Sequence, residues 1–240
     1  MEKEFEQYLW YGQFPEMVGE KNPVLVRKYL TDAVYKKTIE YDIPRIFGVE
    51  KVDELKFLFQ VLVSEIGSVV ETGNMAREIG IDEKTIKKYL QYFEESFLIH
   101  LVYNFTKSAR KSRRLGKKVY IGSPNFFSVP HTQSHGGSSS YKVGFLVENY
   151  CFLLLKKKYA TVSFRRVRQD EVDFLATDNV LDVKRYQYVE VKYREQIVPK
   201  AFKFALKLAK KSDHTLFVVT KNDFAISDDA VLVPVWMLIE

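Results

Sequence analysis

Two short segments in the last third of the chain place charged side chains at the two-residue spacing of a β-strand face. Glu190 and Lys192 alternate with valines in VEVKY, and Glu171 and Asp173 alternate with apolar residues in EVDFL. Side chains two residues apart lie on the same face of a strand, so the first segment displays an acid beside an ammonium group. A turn at residues 177–179 (TDN) would let the two strands pair and bring Asp173 toward Glu190.

These residue types suit metal-assisted chemistry on a phosphodiester. Carboxylates and backbone carbonyls are the ligands that Mg²⁺ prefers, and Mn²⁺ accepts the same kind of site. We expect Asp173 and Glu190 to hold the metal, and Lys192 to orient or deprotonate a water or to neutralise charge on the phosphate oxygens. Glu148 stands in an otherwise apolar stretch, where a carboxylate is costly to bury without a partner, so we expect it to support the metal shell as a third ligand.

Two alternatives compete with this site. Charges on a strand face commonly form surface ion pairs that contribute little. A second D-x-K, Asp182-Val183-Lys184, lies only nine residues after Asp173, which is short for two paired strands, and it lacks the VEVKY context. We therefore favour Glu190 and Lys192, although their separation of seventeen residues from Asp173 to Glu190 is slightly long for such a hairpin.

The elements that must position these residues follow from the apolar periodicity. A helix is predicted after Tyr141 in KVGFLVENYCFLLLKKK, and a second helix from Pro199 to Lys211, because proline is favoured at a helix start. Alternating segments predict four strands, at 161–166, 171–176, 186–193 and 215–220. The order α-β-β-β-α-β predicts a compact α/β domain over residues 141–240.

The upstream part predicts a helical connector and a winged helix-turn-helix. Residues 1–50 alternate amphipathic pieces with turn signals, and residues 51–124 hold the second domain. Its predicted helices span 55–66, 74–79 and 83–97, and its predicted strands span 98–105 and 118–121. Residues 125–140, rich in Ser, Gly and His, are predicted to be a linker loop. His131 and His135 have metal-ligand spacing, but no helical pattern puts both rings on one face.

Basic residues of the predicted winged helix point to DNA. The helix beginning after Asp82, a predicted N-cap, carries three lysines opposite its apolar face: Lys84, Lys87 and Lys88. The predicted wing carries seven positive charges and no acid: Lys107, Arg110, Lys111, Arg113, Arg114, Lys117 and Lys118. A solvated loop is the alternative, but beside a helix-turn-helix we favour duplex contact. Lysine suits phosphates as well as bases, which indicates weakly specific, shape-driven binding.

Composition limits the remaining possibilities. The chain has 240 residues, 46% of them hydrophobic and 28% charged, as in an ordinary globular protein. No apolar run is long enough for a membrane span, and the N-terminus lacks the layout of a signal peptide, so we expect a cytoplasmic protein with no membrane partner. The single cysteine, Cys151, excludes an intrachain disulfide and predicts a buried thiol. A net charge of +6 favours a polyanionic partner.

Several of these segments resemble a known family. LVENYCFLLL, RRVRQDEVDFL and YVEVKYREQI are similar to the PD-(D/E)XK nuclease-like domain at the C-terminus of a group of archaeal and bacterial AAA+-type ATPases. YLWYGQFPEMV resembles the segment that follows the ATPase module in those proteins, and the winged helix ending in KKVYI resembles their middle domain. The sequence after that motif, GSPN, departs from the family's acid and glycine.

The resemblance implies an α+β or α/β chain that works with a P-loop ATPase module in cis or in trans. No G-x-x-x-x-G-K-[ST] motif occurs in the sequence, so the ATPase itself is expected elsewhere. The expected function is therefore that of a DNA-binding protein with a Mg²⁺-dependent endonuclease domain. The alternative is a catalytically inactive nuclease fold that binds DNA or protein and regulates an ATPase.

Overall fold

The computed structural model describes residues 2–106, 108–129, 139–180 and 185–238, with side chains from residue 143 onward in the helix that begins at 139. The chain divides into two compact units. The first contains Lys3–Leu101 and Gly116–Ser138, and the second contains Met1–Glu2, Val102–Leu115 and Ser139–Glu240. Six residues named above lie outside the described ranges: Lys107, His131, His135, Asp182, Val183 and Lys184.

The predicted connector is helical and belongs to the first unit. Its elements are α1 (Glu2–Tyr11), a 3₁₀ turn (Pro15–Met17), α2 (Pro23–Tyr29), a π-helical segment (Leu30–Asp42) and α3 (Ile43–Phe47). Asn22 caps α2 by accepting a hydrogen bond from the Val24 backbone N–H at 3.0 Å. Gly48 ends α3 in the left-handed conformation at φ 66°, which glycine adopts without a Cβ penalty.

The elements from Val52 to Ile121 follow the order typical of a winged helix. They are α4 (Val52–Ser64), β1 (Val69–Val70), α5 (Thr72–Ile79), α6 (Glu83–Glu95), β2 (Ile99–Tyr103), α7 (Ala109–Arg114) and β3 (Lys117–Ile121). All of them belong to the first unit except α7 and the end of β2, which belong to the second. The sheet order is β1-β3-β2, so the strand after α7 takes the central position. The predicted helices and two strands are confirmed, and the short β1 was not predicted.

Helix α6 has the cap and the apolar face that the sequence predicts. The Asp82 carboxylate accepts a hydrogen bond from the Thr85 backbone N–H at 2.9 Å. Ile86, Leu90 and Phe93 are all buried on one side of the helix. Their burial leaves the lysine-bearing side of α6 toward solvent.

Residues Pro124–Ser128 form a 3₁₀ helix with a buried side, where the sequence predicted the start of an open linker. Asn125 has no exposed surface, accepts from the Gln13 backbone N–H at 2.8 Å and donates to the Leu9 carbonyl at 2.7 Å. The last carbonyls of a helix have no partner within it, and Asn125 supplies one at the end of α1. The first residues of the predicted linker are thus part of the core of the first unit.

Replacing Asn125 with alanine is expected to destabilise the protein by about 2 kcal/mol, because buried backbone groups of α1 lose their partners. Asn74→Ala, which removes an exposed amide, is the matched control and is expected to change stability by less than about 0.5 kcal/mol. The measurement is urea unfolding followed by circular dichroism. Equal midpoints for the two variants would contradict the capping role.

The second unit has the predicted α-β-β-β-α-β order. It consists of α8 (Ser139–Lys158), β4 (Thr161–Val167), β5 (Asp170–Thr177), β6 (Gln187–Lys192), a 3₁₀ turn (Pro199–Phe202), α9 (Lys203–Lys211), β7 (Leu216–Thr220), β8 (Ala225–Ile226), β9 (Ala230–Pro234) and a 3₁₀ turn (Val235–Leu238). The sheet order is β4-β5-β6-β7-β9-β8. Strands β4, β5 and β6 pair antiparallel, whereas β6, β7 and β9 are parallel. The sequence predicted neither β8 nor β9.

The segment before α7 extends the sheet at β4. Asn104 bridges Phe164 in parallel orientation, and its side-chain oxygen accepts from the Arg166 backbone N–H at 3.2 Å. The Phe105 backbone N–H donates to the Phe164 carbonyl at 2.6 Å, and the Arg165 guanidinium donates to the Phe105 carbonyl at 3.2 Å. Backbone groups on the outer side of β4 are therefore paired within the second unit.

The basic segment predicted as an open wing contains a short helix instead. Ser108 caps α7 by accepting from the Lys111 backbone N–H at 3.3 Å, and the side chains of Thr106 and Ser112 share a hydrogen bond of 2.9 Å. Three of the basic residues lie in the last turn of α7, where the helix dipole favours cations: Lys111, Arg113 and Arg114.

Candidate functional site

Asp173 and Glu190 lie side by side on neighbouring strands. The ladder pairs Phe174 of β5 with Val189 of β6, so Asp173 and Glu190 are the next pair along it. Asp173 Oδ2 accepts from the Val191 backbone N–H at 2.9 Å, and Glu190 Oε2 accepts from the Asp173 backbone N–H at 3.3 Å. The two residues are only 8% and 4% exposed. The structure therefore brings together two buried carboxylates that the strand alternation placed on one face.

Lys192 lies against both carboxylates. Its Nζ is 2.5 Å from Glu190 Oε1 and 3.7 Å from Asp173 Oδ2. The Lys192 side chain is itself largely buried, which strengthens these charge interactions because less water screens them. Two acids and one ammonium thus form a compact cluster with a net charge of −1 when all three are ionised.

The electrostatics of the cluster follow from burial and mutual contact. Burial raises the pKa of Glu190, the neighbouring Asp173 charge raises it further, and Lys192 offsets only part of the rise, so the pKa reaches about 8. Burial alone would lower the pKa of Lys192, but the charges of Asp173 and Glu190 outweigh it and the pKa is raised. A second cation near the pair would therefore favour the ionised form of the Glu190 carboxyl group.

Glu148, on α8, is half-buried and acts on the cluster electrostatically. Its charge helps to raise the pKa of Lys192, after larger contributions from Asp173 and Glu190. Within the described residues, no group of three or more His, Cys, Asp or Glu side chains is close enough to hold a metal ion. The role of Glu148 as a third metal ligand stays a prediction.

A cleft of about 620 Å³ opens over the two carboxylates. Strands β5 and β6 contribute its acids and Lys192, and the 3₁₀ turn and α9 contribute three further lysines. The described lining includes four acids and four lysines: Asp170, Glu171, Asp173, Glu190, Lys192, Lys200, Lys203 and Lys207. Sequence reasoning missed the last three lysines, although their spacing of three and four residues in a predicted helix was a usable signal.

The donor set of this cleft suits a hard dication. Mg²⁺ is commonly bound through one or two carboxylates together with substrate phosphates and water. Asp173 and Glu190 supply two carboxylates, which together carry one more negative charge than Lys192 offsets when all three groups are ionised. These oxygen ligands fit Mg²⁺ or Mn²⁺.

The basic residues expected to meet DNA differ in exposure. Exposed residues are Lys84, Lys87, Lys88, Arg110, Lys111, Arg113 and Arg114, whereas Lys117 is half-buried. Lys87 is paired with Glu83 at 2.6 Å. Lys118 is only 2% exposed, because it belongs to the central strand β3, so its assignment to the DNA-contacting set is wrong.

Cys151 is buried in α8, as the sequence predicts. Burial raises the pKa of its thiol, and the charges of Glu148 and Asp173 raise it further. Since the thiolate is the reactive form, we expect no labelling of the native protein by a thiol reagent at pH 8, and complete labelling in urea. Rapid labelling without denaturant, followed by mass spectrometry, would contradict this.

No helix in the described part of the chain combines the length and the apolar character needed to cross a membrane.

Parts of the chain match two family models, and most of it matches a curated relative. The chain is 23% identical over 234 residues to uncharacterized protein MJ1544 of Methanocaldococcus jannaschii, a match that covers 92% of this chain and 50% of that protein. The chain thus spans about half the length of this curated relative. No solved structure matches the chain. Residues 143–238 are similar to the family described as domain of unknown function DUF4143. Residues 2–123, just over half of the chain, match a second family model, and the chain therefore belongs to the family described as domain of unknown function DUF8612.

Proposed function

We propose that this chain is a DNA-binding protein whose second unit is a Mg²⁺-dependent, PD-(D/E)XK-type nuclease domain. The observation that carries the proposal is the buried cluster of Asp173, Glu190 and Lys192 at the base of a cleft that also holds lysines. A buried carboxyl group with a raised pKa in a cleft, as Glu190 is here, is typical of functional sites. The order α-β-β-β-α-β, with its mixed sheet, supports the same assignment.

The cluster divides two roles in hydrolysis between its residues. Asp173 and Glu190 would hold a Mg²⁺ ion by their carboxylate oxygens, whose orientation is fixed by hydrogen bonds from backbone N–H groups. Such an ion would supply an activated water and offset the charge of the scissile phosphate. Lys192 holds a proton at Nζ, from which it orients the attacking water or neutralises charge on the phosphate oxygens.

We further propose that the chain works with a P-loop ATPase module in cis or in trans. The resemblance of its segments to the C-terminal region of AAA+-type ATPases supports this. The relative in Methanocaldococcus jannaschii supports it too, since the half of that protein outside the match leaves room for a further module.

The direct test uses the full chain with supercoiled, linear and branched DNA. Cleavage is expected with millimolar Mg²⁺ or Mn²⁺ and not with EDTA. Calorimetry measures divalent-ion binding in parallel. Absence of both cleavage and ion binding would favour the alternative, an inactive nuclease fold that binds DNA or protein.

The exposed basic residues of α7 are expected to contact the DNA backbone. In the variant R110A/K111A/R113A/R114A, duplex affinity should fall, and the log–log salt slope should flatten by about 3.6 if all four residues meet phosphates. The matched control removes four exposed charges elsewhere, K21A/K28A/K37A/R45A. A filter-binding titration in which both variants keep the original affinity and slope would defeat the assignment.

A further inference from the structure

We propose that Lys200, Lys203 and Lys207, here called the lysine row, bind the phosphates of one nucleic-acid strand and lay that strand across Asp173 and Glu190. The inference rests on the proposed function, since it states where the substrate of that site lies. All three lysines line the same cleft as the two carboxylates.

The lysine row occupies one face of a helical segment. Residues spaced three and four apart are neighbours on a helix surface, and the row is exposed along its whole length. The opposite face is fixed by Phe202, Ala205 and Ala209, which are buried in the core between α9 and the sheet. The row is therefore carried by a packed element that holds its direction relative to the strands of its own unit.

The length of the row matches several phosphates. From Lys200 to Lys207 the 3₁₀ turn and the first turn of α9 advance by about 12 Å. One strand of a duplex presents a phosphate every ~3.4 Å along the axis, so the row spans about three to four phosphates. Lysine contacts to phosphates carry no sequence information, so the substrate is a nucleic-acid strand recognised by its backbone.

The distribution of charge in the cleft explains why the row is needed. A polyanion that approaches Asp173 and Glu190 meets like charge, and Lys192 is already held by both carboxylates. The lysine row provides positive charge in the same cleft, from the 3₁₀ turn and α9 rather than from the strands that carry the two carboxylates. Lys210, which is also on α9, pairs instead with Asp229 at 2.5 Å.

The test is a salt titration of DNA affinity with the full chain, in an Asp173→Asn background that prevents cleavage. The variant K200Q/K203Q/K207Q is expected to bind at least 10-fold more weakly and to flatten the log–log salt slope by about 2.7 for duplex DNA. The control K156Q/K157Q/K211Q removes the same charge from exposed positions outside the cleft and should stay within about twofold. Two unrelated DNA sequences should give the same loss.

The outcomes separate this inference from the proposed nuclease activity. An unchanged slope in the row variant overturns the inference, even if the native chain cleaves DNA with Mg²⁺. A flattened slope in the row variant alone supports the inference, even if the native chain never cleaves DNA. Equal losses in the row variant and the control would also overturn it, because they would show an effect of net charge only.

Discussion

Asp173→Asn and Glu190→Gln are each expected to reduce Mg²⁺-dependent DNA cleavage by at least about 100-fold, the scale of losing a preorganised charged group at a reacting phosphate. Each substitution removes one negative oxygen ligand while the side chain keeps its size. Both carboxylates lie against Lys192, and each accepts a backbone hydrogen bond from the opposite strand, so the amides fit the same space. Single-turnover cleavage of a labelled substrate is the measurement.

Two controls make this prediction specific. Calorimetry should show weaker divalent-ion binding in both variants, because each substitution removes a carboxylate ligand of the ion. Asp182→Asn removes an acid from the competing D-x-K, so its rate should equal that of the native chain. If Asp182→Asn were the inactive variant, the metal site would belong to the second motif and the assignment to Asp173 would fail.

Lys192→Met is expected to lower the cleavage rate by about 100-fold while leaving the dissociation constant for Mg²⁺ within about threefold, since the ammonium serves water or the phosphate rather than the ion. Methionine keeps the apolar length of the side chain and removes only its charge. Rate and ion affinity should therefore separate, which a loss of folding cannot produce.

Lys211→Met, which removes an exposed lysine outside the cleft, is the control for Lys192→Met and should leave both quantities unchanged. Circular dichroism checks that the protein still folds when the buried carboxylates lose the charge of Lys192. A parallel loss of rate and ion binding in Lys192→Met would mean that the lysine organises the metal ligands, and the proposed division of roles would be wrong.

Apolar periodicity predicted the order of helices and strands from α8 to β7 in the second unit. The alternation in EVDFL and VEVKY was sufficient to place Asp173 and Glu190 on one face, because burial of the valines fixes the register. The lysine row was not predicted, although its spacing in the predicted helix shows that the three side chains share a face. Its place in the cleft beside the carboxylates depends on how α9 packs across the sheet, which local spacing does not encode.

Lys118 and the basic segment before it show where local patterns mislead. Lys118 reads as one more charge of a basic loop, but it lies in β3, whose neighbours Val119, Tyr120 and Ile121 are all buried. Similarly, the basic segment that contains α7 was predicted to be a loop because its many positive charges suggested a solvated, DNA-contacting wing. Ser108 followed by alanine, lysine and arginine is a capped run of helix formers, and this signal for α7 was present in the sequence.

The pairing of Asn104 and Phe105 with β4 has a consequence for expressing the second unit alone. Strand β4 is the first strand in the order of its sheet, and an uncovered edge strand offers free N–H and C=O groups to any other chain. A fragment that starts at residue 139 would lack the cover supplied by Val102–Leu115, although it would contain every strand of the sheet. Such a fragment should self-associate through β4, and appending residues 102–115 by a linker should restore a monodisperse species.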